Sequence, residues 1–168
     1  MRPKTKPLPV SVIMAALMSV AVAGCATNAN GISQQTPPAG QAGFAGYRWQ
    51  VVDIDHAGTQ TSVPARYAVY LQFGLNGQFG AHEPVNYHGG TYHSTSDGFT
   101  TGGMSSTLVG YAGHDPVVLL SVSAISAFED GVRATVRLAG DRLAVSVGGY
   151  LLTCQRDGRQ AGLPTSPA

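Results

Sequence analysis

Beyond its sixth residue this chain contains no lysine, and Cys25 and Cys154 are its only cysteines. Charged residues make up 11% of it, and just one apolar run, Val10 to Val22, is long enough to notice. Each scarcity excludes something. Arginines without a basic cluster leave no electrostatic footprint for nucleic acid, so DNA and RNA are not expected partners. Low charge together with 22 glycines argues against a highly charged disordered chain and for a compact, turn-rich β domain. At 1.5 Å per residue a helix of about 13 residues spans about 20 Å, short of the roughly 30 Å hydrocarbon core of a bilayer. The run is therefore too short to serve as a comfortable transmembrane span.

What is there around that run reads as an export signal. Arg2, Lys4 and Lys6 precede it, and Val22-Ala23-Gly24-Cys25 follows with small residues before the cysteine, in the manner of a bacterial lipobox. The expectation is that residues 1–24 are removed and that Cys25 carries lipid. The mature chain would then be tethered outside the cytoplasm, at the cell membrane or the outer membrane. Two or more acyl chains, at about 0.8 kcal/mol per buried methylene, hold a protein at a membrane stably. The mature part would carry seven arginines against nine acids, a formal charge of −2. With Cys25 acylated, Cys154 has no partner; in the string Tyr150-Leu151-Leu152-Thr153-Cys154 it is expected to be buried and inert.

Residues 25–45, with Pro37-Pro38 and several glycines, read as a flexible tether reaching roughly 25 Å by random-coil scaling. Residues 158–168 read as a frayed tail, and residues 46–157 as one domain. Within the domain the periodicity is mostly two. Tyr47 to Ile54 is expected to be a strand anchored by Trp49. Tyr67, Val69, Leu71 and Phe73 alternate in another, and Asn76-Gly77 turns it into a return strand over Gln78 to Ala81. Val132 to Leu138, Leu143 to Val147 and Tyr150 to Arg156 form a three-stranded meander with turns at Ala139-Gly140-Asp141 and Gly148-Gly149. Asp115-Pro116 looks like an N-cap and first helical residue, so Val117 to Phe128 is read as a short helix with Val118, Val122 and Ile125 on one face. Alternation of Val118, Leu120, Val122 and Ala124 leaves a strand open there.

These elements and several strings resemble the META domain family, also called HslJ-like, over residues 47–156. The carriers are Tyr47-Arg48-Trp49, Tyr70-Leu71-Gln72-Phe73, Asn76-Gly77, Phe79-Gly80, Asn86-Tyr87-His88-Gly89-Gly90-Thr91-Tyr92, Met104 to Val109, and the closing Leu143 to Arg156 hairpin. The resemblance implies an α+β, predominantly antiparallel β domain with one short helix. It also implies a role in envelope integrity or stress tolerance, and no catalytic residues. Family members typically have Gly-Cys-Asn before the aromatic string and a second cysteine after the Ser-Thr pair. This chain has Pro84-Val85-Asn86 and no cysteine near Gly110. If the family's cysteines pair, a cross-link of roughly 3 kcal/mol is missing here, and packing of Val85 and its neighbours must hold the same loop.

Candidate chemistry is thin. His82, His88 and His93 lie within twelve residues with Glu83 among them, the donor types of a zinc site. Even spacing would let His82 and His88 share a strand face, which makes a metal-assisted hydrolase the alternative reading, while His93 is odd to both. No Gly-x-Ser-x-Gly elbow or phosphate loop occurs. No catalytic, metal or cofactor residue is assigned. The expected activity is non-catalytic binding of an envelope protein, or of a small ligand in the curved sheet, with Tyr87, Tyr92 and Tyr111 as candidate surface contacts.

Overall fold

The computed structural model describes residues 43–160. The export signal, Cys25 and most of the tether therefore lie outside the described residues. Nine strands and one α-helix follow in the order β1 (Tyr47–His56), β2 (Thr59–Ser62), β3 (Tyr70–Phe73), β4 (Gln78–His82), β5 (Tyr87–Ser94), β6 (Gly98–Ser106), α1 (Pro116–Ser126), β7 (Arg133–Ala139), β8 (Arg142–Val147) and β9 (Tyr150–Gln160). All pair antiparallel. β2 folds back on the end of β1, and the other eight close into a barrel because β1 bonds to both β3 and β9. The expected β-rich fold with one short helix is observed, and closure removes the sheet edges that would otherwise template aggregation.

Local chemistry explains the turns. Gly148 and Gly149 both have positive φ, 55° and 86°, as a two-residue hairpin in the twist-compatible turn requires. In the β5–β6 pair, Gly89 faces Ser105 and Thr91 faces Gly102, so β6 holds an extra residue; Gly103, at φ 57°, absorbs it. That bulge switches the inward parity of β6 from Phe99 and Thr101 to Met104. Asp115 caps α1 as expected, accepting from the amides of Val117 at 2.9 Å and Val118 at 3.4 Å. The Tyr67 hydroxyl donates to its other oxygen at 2.6 Å and is the main reason that the carboxyl sits below the usual range.

The barrel interior is solid. All five phenylalanines of the chain, Phe44, Phe73, Phe79, Phe99 and Phe128, form one cluster with Tyr92; Phe44 and Phe73 meet edge to face at 4.7 Å. Trp49 is fully buried and donates its indole N–H to the Phe44 carbonyl at 2.9 Å. Cys154, also fully buried, sits opposite Leu143 and Val51, and burial pushes its thiol far up. At the seam, Arg48 binds Asp157, and the Arg156 guanidinium lies 4.2 Å from the centre of the Tyr47 ring.

Several expectations need correcting. Phe44 and Ala45, read as tether, are core residues, because the cluster needs an aromatic plug where the chain enters the barrel. The last strand runs to Gln160 rather than fraying after Asp157, since β1 offers it a pairing partner as far as Tyr47. Tyr67 belongs to a 3₁₀ turn, Ala65–Tyr67, and the strand starts at Tyr70 after a left-handed Ala68. On α1 the buried face is Val118, Ser121, Ala124 and Ile125, with Val122 half-buried. Tyr92 is interior, its hydroxyl donating to the Gly74 carbonyl at 2.9 Å.

The aromatic filling should dominate stability. Phe99→Ala is expected to cost about 3–5 kcal/mol in urea unfolding, whereas Leu151→Ala, at a 41% exposed position, should stay within about 0.5 kcal/mol.

Candidate functional site

Antiparallel pairing assigns each end of the barrel. Gly43, the β3–β4 turn, the β5–β6 turn, the β7–β8 turn and Gln160 lie at one end; the β4–β5 turn, the β6–α1 loop and the β8–β9 turn lie at the other. The second end, hereafter the distal rim, holds the unusual chemistry.

The β4–β5 turn, residues 83–86, contains a fully buried acid. Glu83 Oε2 accepts from the Val85 amide at 2.7 Å, and the Glu83 amide donates to the Asn86 carbonyl at 3.1 Å. Its other oxygen, Oε1, is enclosed without a hydrogen bond, and 3.7 Å away stands His88 Nε2, equally enclosed and unbonded. That separation exceeds a hydrogen bond. Burial is the chief influence on His88 and holds its pKa below the ordinary imidazole value; Glu83 works against this and His82 adds to it. His88 thus stands neutral at pH 7, half of a pair that has the composition of a general base and its orienting acid but not the contact.

His88 also forms the wall of an open cleft of about 300 Å³, together with Met104, Ser106 and Phe128, and Glu129 and Asp130 line it too. Beside it runs the β6–α1 loop. Leu108 is 94% exposed, Val109 59% and Tyr111 37%, a density of solvent-facing apolar side chains found nowhere else among the described residues. The loop is nonetheless fixed at its base. Asn86 Oδ1 accepts from the Val109 amide at 2.8 Å and from the Thr107 hydroxyl at 3.1 Å, while its Nδ2 donates to the Val109 carbonyl at 3.1 Å. The Thr107 hydroxyl oxygen accepts in turn from the Tyr87 amide at 3.0 Å.

The histidine candidates do not converge. His88 pairs with the buried Ala81 and faces inward, while His82 pairs with Tyr87 on the outer face, stacked on Tyr70 at 4.9 Å with Nδ1 2.9 Å from the Ala68 carbonyl oxygen. Even spacing failed because a turn between two strands separates them, so strand parity does not carry across. His93 is exposed opposite Thr100. No group of three or more metal-ligating side chains occurs among the described residues. Of the three tyrosines expected at the surface, Tyr111 is exposed, Tyr87 half-buried and Tyr92 interior. Glu83, a candidate metal donor in the sequence, instead shapes the β4–β5 turn, and the role of Asn86 was not foreseen, since no residue pattern distinguishes a clamp asparagine from a turn asparagine.

No family model and no curated protein matches the chain. The fold is similar to that of a Burkholderia xenovorans protein solved by NMR, with TM-score 0.54 and 16% identity over 83% of this chain and 100% of that one. A second protein solved by NMR aligns with TM-score 0.48 and 17% identity over 67% of this chain and 90% of that one. At that identity the first likeness shows the fold alone.

Two measurements test the site. Asn86→Ala should speed hydrogen exchange at the Val109 amide at least about tenfold while lowering global stability by about 1 kcal/mol or less. For His88, a depressed folded-state pKa means that the unfolded chain binds the extra proton. Its stability contribution is therefore intact above the unfolded value of about 6.5 and is lost as pH falls below it. Wild-type melting temperature should fall between pH 7.5 and 5.5, and His88→Gln should flatten that slope. Asp97 and Asp115, whose carboxyls are held low by Arg133 and Tyr67 respectively, act only below about pH 4.

Proposed function

We propose that this chain is a lipid-tethered, extracytoplasmic binding module of META-like type, non-catalytic, which meets an envelope partner through its distal rim and so supports envelope integrity or stress tolerance. One observation carries the reading: the exposed, clamped Leu108-Val109-Tyr111 loop lies at the opposite end of the barrel from Gly43, where the preceding chain joins. A flexible tether on Cys25 would join the domain at the Gly43 end and leave the rim, at the other end of the barrel, clear of the point of attachment. A loop whose backbone is held at Val109 in advance costs less ordering entropy on association than an unclamped one, which favours a recognition surface. The filled lumen offers no room for a ligand inside the sheet, so the small-ligand alternative is confined to the cleft beside His88. The hydrolase alternative finds His82 and His88 on different faces.

The test is crosslinking in intact cells from a photoreactive residue at position 108, with position 141, in the turn at the other end, as control. Protein adducts should arise at 108 and not at 141, and Cys25→Ser should abolish membrane fractionation of the chain. Equal or absent adducts at both positions, or unchanged fractionation, would defeat the proposal.

A further inference from the structure

Most of the carboxylates in the described structure are already engaged. Asp157, Asp97 and Asp141 meet Arg48, Arg133 and Arg156; Asp53 accepts from the Ser62 hydroxyl, Asp55 from the Gly58 amide, and Asp115 from Tyr67 and the start of α1. Glu83 accepts from the Val85 amide. Glu129 and Asp130 are different. Both are exposed, neither side chain has a hydrogen-bond or ion-pair partner among the described residues, and they sit together on the cleft next to the apolar loop. No arginine lines that cleft. His88, its one basic group, is enclosed and held neutral by burial, with the unbonded Glu83 oxygen behind it. The cleft therefore carries two exposed acidic side chains and no arginine among its lining residues.

We infer that the distal rim fits a protein surface carrying an arginine or lysine beside an apolar patch, the cation entering between Glu129 and Asp130 while the apolar side chains pack on Leu108, Val109 and Tyr111. This rests on the binding role proposed above and names the chemistry of its partner. The apolar loop supplies contact area and the carboxylates supply orientation, since charge complementarity fixes register and suppresses wrong partners more than it adds affinity. A membrane surface fits less well, because anionic lipid would be repelled by the two carboxylates.

The experiment uses the full chain with the photoreactive residue at 108, comparing wild type, Glu129→Gln with Asp130→Asn, and Glu129→Lys with Asp130→Lys, each checked for an unchanged thermal melt. The neutral pair should lower adduct yield about threefold and the reversed pair at least about tenfold. Mass spectrometry should map the captured site within a few residues of a lysine or arginine on the partner. The neutral pair, which adds no repulsion, keeps the test meaningful if the reversed pair misfolds. Undiminished adduct in both variants, a captured site without a nearby cation, or capture of lipid or of a second copy of the chain would overturn this inference while leaving a binding role standing. Absence of any adduct at 108 would instead remove the binding role itself.

Discussion

The constraint on which the rest of the molecule depends is the filling of a small closed barrel by aromatic rings. Eight strands enclose a volume that side chains can fill, and here five phenylalanines, Tyr92 and Trp49 fill it. Edge-to-face, tilted and stacked contacts at 4.7 to 6.2 Å tie rings from β3, β4, β5 and β6 to Phe44 before β1 and Phe128 after α1. The entering segment and the segment leaving the helix are thereby held by the same cluster. The buried rings thus form one continuous core linking the strands to the segments on either side of them.

Closure also gives the domain a direction. Because all neighbouring strands are antiparallel, the segment that begins at Gly43 and the strand that ends at Gln160 lie at one end, and the long β6–α1 connection lies at the other. Arg48 with Asp157, and Arg156 over Tyr47, fasten the seam near the first end. The distal end instead has Arg66 lying 4.7 Å from the centre of the Tyr67 ring. Its unusual features are a buried carboxylate, an enclosed neutral imidazole, two unpaired acids and an apolar loop, a combination that a surface evolved only for solubility would not accumulate.

Local signals in the sequence were sufficient where structure is local. Asp115-Pro116 marked the helix start, Gly148-Gly149 and Asn76-Gly77 marked hairpins, and the alternation of Leu143, Val145 and Val147 marked a buried face. Two strands, β5 and β6, were hidden because they carry Gly89, Gly90, Gly98, Gly102 and Gly103, residues that weaken strand propensity wherever they serve a bulge or a close approach. The β1–β9 pairing joins residues as far apart as Tyr47 and Gln160, and no window of periodicity reports such a contact. The site was legible only in part. His88 and Glu83 stood out as types, yet whether they shared a face depended on where β4 stopped, and the clamp made by Asn86 depended on a loop twenty-three residues away.

That clamp bears on why a buried acid is kept at all. A carboxylate enclosed with one amide donor and no cation in hydrogen-bond range gains little for global stability and costs desolvation. What Glu83 does secure is the shape of the turn: it binds the Val85 amide with its side chain and the Asn86 carbonyl with its backbone, and Asn86 so placed grips both Thr107 and Val109. Three hydrogen bonds from a single amide side chain join these two segments. Each is worth about 1 kcal/mol or less net at this exposed site, and their loss acts on the local order of the loop more than on global stability. The asparagine thereby organises the base of a loop whose Leu108 and Val109 are exposed. The buried carboxylate is in this sense a positional device, its local cost offset by an apolar loop that stays presented.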